Sequence, residues 1–420
     1  MSKQPSTWAS LREAWPLLLG CFAIEFVVVG GGIDTVSVFL NELSSSEGWS
    51  RQGLSAGIAV GAVTAGLVTP AVGWMVDRYG VRVPILIGTA FLAGGFAVLF
   101  GMNEPWHFMV ANLLLGPGFS FSAMLPVTIA VTVLVHHRTA LALGIVTMGS
   151  SLGALILAPV AQALIGVLGW RHTYLAMGAA ALLTPIACVL FALPHGRLQE
   201  PPSTDANGEA APKQPLQLGR VLRRPGLLPM VGVLMIPGLA SFGIQVHLVP
   251  FLSDHGHEVT FAAGALGAVI GVSAIGKLGG GLLADRLGLV GTLRLALFFE
   301  VMGTTLLLIG NSGIAVWLFV ALHGLSVGTQ VAVMPVVAMA ILGRENFGTL
   351  YGLLQLATIL TIGAAPIIPG AIFEATGSYH DAVLFWIAVM ASSFLIAFFL
   401  RLPAPGSGPD TGTESEVTSG

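Results

Sequence analysis

A chain of 420 residues that is 55% apolar, holds 55 glycines and is only 9% charged cannot clothe itself in a soluble surface, which takes about 25% charged residues. Its formal net charge of −3, from 17 basic and 20 acidic side chains, leaves no basic stripe for nucleic acid to bind. The composition is that of an integral membrane protein, and surplus glycine suits close helix packing in lipid.

In chain order, residues 1–13 are polar and lead into an apolar run too long for the core of a signal peptide, so no cleavable leader is expected. Roughly 20 apolar residues cross a bilayer as a helix. Reading polar punctuation as loops predicts spans at 15–40, 52–76, 83–102, 107–135, 139–165 and 172–194. A polar linker over 195–225 contains the run PPSTDANGEAAPKQP. Further spans follow at 226–252, 260–283, 295–311, 313–342, 347–373 and 382–401, and 402–420 reads as a disordered tail. The expected fold is therefore all-α, with six helices in residues 1–194 and six in 226–401. Cys21 and Cys188 both lie in apolar runs, which argues against a disulfide or a metal site. With no nucleophile–base constellation, nucleotide loop or metal spacing, neither an enzyme nor a cofactor is expected.

With twelve spans, both termini and the linker share one side of the membrane, and 14 of the 17 Lys and Arg residues fall on that side. Only Arg51 and Arg171 fall opposite, and Lys277 lies within a span. Basic loops stay cytoplasmic, so both termini are expected inside. The two sets of six also repeat. Gly73, Asp77, Arg78 and Gly80 match Gly281, Asp285, Arg286 and Gly288 at an offset of 208 residues, as Gly144 matches Gly352. Pro126 and Pro335 keep nearly the same spacing, as do Pro159 and Pro366. Parallel repeats imply a two-fold axis along the membrane normal, a central site between the halves, and alternating access by rocking.

These features resemble the major facilitator superfamily over nearly the whole chain. Its loop motif GxxxDRxGxR stands here as Gly73, Asp77, Arg78, Gly80 and Arg82, with a second copy at Gly281, Asp285, Arg286 and Gly288. The resemblance implies that these residues serve gating, the acid and the arginine latching the loop by charge-assisted bonds. The fifth span, running from His136 and Arg138 through Gly144, Gly149 and Gly153 to the exit Gly169-Trp170-Arg171, is similar to the monocarboxylate-porter branch and to bacterial organic-anion carriers. Read from the residues alone, its three glycines make a small-residue face for tight crossing.

Ionisable groups within a span mark a pathway or a partner by default. Glu25, Asp34, Lys277 and Glu300 are such groups, joined by His247 and His323, whose imidazoles titrate near neutrality. Carriers that this chain resembles place an arginine at the position of Lys277 to bind the substrate carboxylate. Lysine keeps the charge but not the bidentate fork, and a lysine snorkelling to the interface is the bland alternative. Glu25 and Asp34, nine residues apart, point to opposite helix faces. Asp34, after Gly30-Gly31-Gly32, is the favoured cavity acid and proton acceptor, and Glu25 is expected against a neighbouring helix. His247 is a candidate for substrate or proton, and Gln330 offers an amide to substrate oxygens. Asn112 and Gln355 are further polar candidates, Phe119 a wall of the site. By resemblance Glu300 sits on an outer helix and is structural.

The chain departs from animal monocarboxylate porters in three places. The lead-in reads Arg12-Glu13-Ala14-Trp15, the lysine of the first span is absent, and Ser273 stands where the resemblance places an aspartate. Proton coupling, if carried, then falls to Asp34, His247 or Glu25. The expected function is secondary transport of small organic anions, monocarboxylates first, by proton symport in a bacterial inner membrane, as a monomer. Export of drug-like or neutral molecules is the alternative within transport. A non-transporting receptor or sensor is the alternative from another class.

Overall fold

The computed structural model of the chain describes residues 11, 13–33, 35–195, 218–224 and 226–403. The expected tail beyond 403, most of the 195–225 linker, and Asp34 lie outside these residues. Among the described residues the chain forms helices and no strand, and nine helices are long and apolar enough to cross a membrane.

Two of these nine are pairs, run together at Gly169 (φ 75°, ψ 162°) and Gly288 (φ 71°, ψ 166°), left-handed positions where glycine alone turns a helix without steric cost. With the shorter His380–Ile396, twelve helices result. They are α1 (Trp15–Ser46), α2 (Arg51–Tyr79), α3 (Arg82–Phe100), α4 (Pro105–Leu134), α5 (139–168), α6 (170–191), α7 (Leu227–Asp254), α8 (259–287), α9 (289–309), α10 (Gly313–Leu342), α11 (Phe347–Thr376) and α12 (His380–Ile396). Polar loops were expected between α5 and α6 and between α8 and α9. A single glycine makes each break instead, so α9 starts earlier than its polar residues suggested.

The 208-residue repeat is written into the backbone. Gly80 and Gly288 share positive φ at the ends of α2 and α8. Arg138 (φ 55°) and Asn346 (φ 53°), the two non-glycine residues with positive φ among those described, precede α5 and α11 at the same offset. Bulky apolar side chains such as Leu183, Leu190 and Phe191 face outward, as lipid contact requires.

α1 and α4 are not regular helices. α1 is α-helical over Trp15–Ile24, widens to π-helix over Glu25–Ile33 and resumes as α-helix over Val36–Ser46. α4 widens over Ser120–Met124, just after Gly116-Pro117-Gly118. Such bulges put one residue too many into a turn and recur at functional sites.

At the end of the bundle that carries Leu11 and Leu402, a single apolar core joins helices of both halves. At the other end the last six helices keep a core of their own around Phe251, Phe319 and Trp386. The bundle is therefore closed at the terminal end and parted at the far end.

Candidate functional site

The parted end encloses a cavity of about 360 Å³, walled by α1, α2, α3, α4 and α6 of the first half and by α7 and α11 of the second. Both π-helical stretches face it, through Gly32 and Ile33 and through Ser120 and Met124. Its walls are overwhelmingly apolar, and among the described residues none of the lining side chains is charged.

Three of the candidates from sequence line this cavity: Asn112, Phe119 and Gln355. Asn112 Nδ2 donates to Phe108 O of its own helix at 2.8 Å, which leaves its carbonyl oxygen as the acceptor toward α2. Gln355 makes no hydrogen bond among the described residues, so both ends of its amide remain available to a ligand. The Phe119 ring lies so close to Gly32 that a Cβ there would come within 2.6 Å of it. Asp34 is outside the described residues, but its chain neighbours Ile33 and Thr35 both line the cavity.

Lys277 lies elsewhere. It is buried on α8, where α5, α8 and α10 cross. Its ammonium donates to Thr147 O at 3.0 Å, Ser150 Oγ at 3.0 Å and Ser151 Oγ at 2.8 Å, all on α5. Ser151 also pairs with Ser273 at 3.2 Å. Lysine stands here where the repeat puts Thr69, which reaches across the matching crossing to Gly352 O at 2.9 Å. The π-helical stretch of α1 packs on the same part of α5 and reaches the cavity. Gly30 packs on the backbone of Ser150 and Gly153, while Gly32 and Ile33 face the cavity. Glu25, at the head of that stretch, is buried beside Gly149 of α5.

His247 is taken up by packing between α7, the break in α11 at Pro366 and the start of α12. Its Nε2 meets Pro366 O at 3.0 Å and its Nδ1 meets the Tyr379 hydroxyl at 3.1 Å. A carbonyl only accepts, so Nε2 carries the proton and Nδ1 accepts from Tyr379. Burial, with the Asp254 carboxylate nearby, holds the Tyr379 hydroxyl above the usual phenol range, so the donor stays protonated. Gln330 is likewise away from the cavity. Its Nε2 donates to Glu300 Oε2 at 2.5 Å and to Ser326 Oγ at 3.1 Å.

The residues of the loop motif assemble at the closed end. Asp77 ends α2 and caps α11, accepting from Gly348 N at 2.9 Å, Thr349 N at 2.7 Å and Thr349 Oγ1 at 2.8 Å. The N-terminus of a helix leaves its first N–H groups unsatisfied and carries partial positive charge, so a carboxylate fits there. Gly73 allows the approach, since a Cβ on it would run into Gly348 O. The second motif copy joins α8 to α5 by other means. Asp285 pairs with Arg138 at 3.3 Å, and Gly281 packs on Ala140 and Leu141. Arg82 binds the carbonyls of Leu193 and Pro194 at the end of α6. Arg78 lies over the rings of Trp74 and Tyr79, and Arg286 is exposed at the same end. Arg344 adds a strap between halves, donating to Val133 O and His136 Nε2, both at 2.6 Å.

Several cavity residues carried no sequence signal that singled them out: Thr69, Ser120, Tyr174, Met177 and Phe242. The glycine run before Asp34 and the Gly-Pro-Gly before Ser120 are the local marks of the two π-helical walls. The exit Gly169-Trp170-Arg171 proves to be a fastener. Trp170 Nε1 donates to Glu47 Oε1 at 3.0 Å, and Arg171 reaches Glu47 and Met102 O.

A family model described as Major Facilitator Superfamily matches residues 22–320. Monocarboxylate transporter 12-B of Danio rerio is 27% identical over 92% of this chain and 87% of its own length. The MFS-type transporter YcxA of Bacillus subtilis is 27% identical over 92% of this chain and 95% of its own. In fold, the chain is similar to the E. coli fucose:proton symporter FucP, with a TM-score of 0.75 over 93% of this chain and 99% of that one, at 16% identity. It is also similar to FucP in a structure described as the outward conformation, with a TM-score of 0.70.

Proposed function

Because this chain belongs to the Major Facilitator Superfamily and is thus a transporter and not an enzyme, we propose that its cargo is a small organic anion, a monocarboxylate first of all, carried with a proton by alternating access. The observation that carries this reading is Lys277, a buried ammonium held by oxygens of α5 at the crossing of the two halves. An ionisable group at membrane depth marks a pathway or a partner by default, and an ammonium is a chemical match for a substrate carboxylate. Relatives named as monocarboxylate transporters support the substrate class. The proton offsets the charge of the anion.

The Lys and Arg residues of the sequence fall mostly on the side of the closed end, which supports a cytoplasmic orientation of that end, the linker and both termini in a bacterial inner membrane. The cavity then opens outward, the state that precedes uptake. The protein acts as a monomer, each chain holding its own central site.

The test is uptake of labelled carboxylates into proteoliposomes, with and without an inward proton gradient, for wild type and Lys277→Gln. Uptake that rises with the gradient and vanishes in the variant supports the reading; no carboxylate uptake, or a variant equal to wild type, ends it. The apolar cavity walls favour a second reading, export of neutral or drug-like molecules. That reading predicts transport of such molecules unaffected by Lys277→Gln.

A further inference from the structure

Behind the cavity, the second half holds a polar cluster that the transport reading has not used. Glu300 of α9 is fully buried. Its Oε1 accepts from Ser241 Oγ of α7 at 2.6 Å. Its Oε2 accepts from Ser326 Oγ and Gln330 Nε2 of α10. His323 Nδ1, also buried, lies 3.4 Å from Oε1 and makes no hydrogen bond among the described residues.

The repeat supplies a control for this cluster within the same molecule. At the 208-residue offset, Glu300 corresponds to Leu92, Ser326 to Gly118, His323 to Leu115 and Gln330 to Ser122. In the first half, fully buried Leu92 packs directly over Gly118. The fold thus joins this helix pair with apolar contacts alone. A buried carboxylate seldom stabilises more than an apolar isostere of similar volume. Packing therefore does not account for an acid, an imidazole, an amide and two hydroxyls at this place.

We propose that Glu300, facing His323, is a proton-binding site, and that it carries the coupling proton of the transport cycle. The second part rests on the proton-symport reading above. The step forms one O–H bond: a proton taken from water on the cavity side adds to the Glu300 carboxylate at Oε1. That bond breaks when the proton passes to water on the other side. Protonation turns Oε1 into a donor toward His323 Nδ1, a buried ring nitrogen with no hydrogen bond among the described residues. α7 borders both places, the cavity through Phe242 and the cluster through Ser241. Loss of the negative charge also loosens the grip of the carboxylate on Ser241 and on Ser326 and Gln330, the contacts that tie α9 to α7 and α10. The proton state is thereby linked to how these helices pack. His323 is the titratable group facing Glu300 from α10. Neither α7 over 227–246 nor α12 over 382–396 contains a titratable side chain. Lys277 of α8 abuts α10 at Gly328, which points away from Ser326 and Gln330 on that helix. Neutral donors surround the carboxylate, which suits a proton better than a metal cation needing several lone pairs.

Infrared difference spectra of the reconstituted, substrate-free protein between acid and neutral pH test the site directly. The expected result is a carboxylic-acid carbonyl band in wild type that is lost in Glu300→Gln. It is also lost in the double variant Glu300→Leu with Ser326→Gly, which copies Leu92 over Gly118 and so guards against a failure to fold. A band that persists unchanged in both variants, or a wild-type spectrum that responds to sodium and not to pH, overturns the proposal. In proteoliposomes, Glu300→Gln is expected to lose gradient-driven accumulation while substrate exchange continues. Accumulation equal to wild type overturns the coupling role. A wild type that accumulates no carboxylate defeats the symport reading instead, and the infrared result still decides whether Glu300 binds the proton.

Discussion

Replacing Asp77 by alanine removes the cap that α2 places on α11. Three hydrogen bonds end on this largely buried carboxylate, two from backbone N–H groups and one from a hydroxyl, at 2.7 to 2.9 Å. Hydrogen bonds to charged groups contribute about 1.5–3 kcal/mol each where water is excluded, and a carboxylate at a helix N-terminus adds about 0.3–1 kcal/mol. Once the halves separate at this end, water satisfies the same groups, so the net preference for closure from all three bonds is only about 3 kcal/mol. At about 1.4 kcal/mol per factor of ten, its loss moves the conformational equilibrium roughly a hundredfold toward opening at the terminal end. Asp77→Asn, which keeps one acceptor oxygen, falls between. Spin labels at Tyr79 and Glu345, both exposed beside the cap, report the separation by double electron–electron resonance. A second pair at Arg51 and Glu258 reports the far end. Asp77→Ala is expected to show a longer distance at the first pair and a shorter one at the second. A folded Asp77→Ala protein with wild-type distances at both pairs would refute the argument that this carboxylate holds the closed end.

Two further substitutions probe the walls and the packing behind them. Phe119→Ala removes a ring that fills the space beside Gly32; larger carboxylates are expected to enter, seen as a KM that falls for branched acids and rises for short ones in a competition uptake assay. Tyr379→Phe deletes the donor to His247 and is expected to cost about 1 kcal/mol of stability, read as a lowered midpoint in thermal unfolding at neutral pH. The Tyr379 pKa is raised in the folded protein, so its contribution is complete below the ordinary phenol pKa and lost as pH climbs through the folded value. Wild type and variant should therefore converge in strongly alkaline buffer.

The architecture was legible because lipid imposes a simple code of apolar length and polar punctuation. The loop motif was legible because an acid, an arginine and glycines at fixed spacing have one packing use. What failed to show were distances between helices. Lys277 reads as a charge in a span, and nothing in its neighbours says that its ammonium reaches Thr147, Ser150 and Ser151, more than a hundred residues earlier. Gln330 reads as an amide open to substrate, because its partner Glu300 sits a whole helix away in sequence. His247 looked accessible beside Gln245, yet Pro366 and Tyr379 arrive from α11 and the turn after it. The two π-helical walls were marked only by glycines, which are too common in this chain to single out a widened turn.

The two motif copies grip unequally. Asp77 is sheltered and triply bonded, whereas Asp285 meets Arg138 as an ion pair with the arginine 62% exposed. Dissolved salt screens exposed charges and leaves buried ones nearly untouched. The Asp285–Arg138 contact therefore weakens first as ionic strength rises, while the buried Lys277 still ties α8 to α5 and Asp77 still ties α2 to α11. One motif used twice has in this way produced one latch that salt reaches and one that it does not.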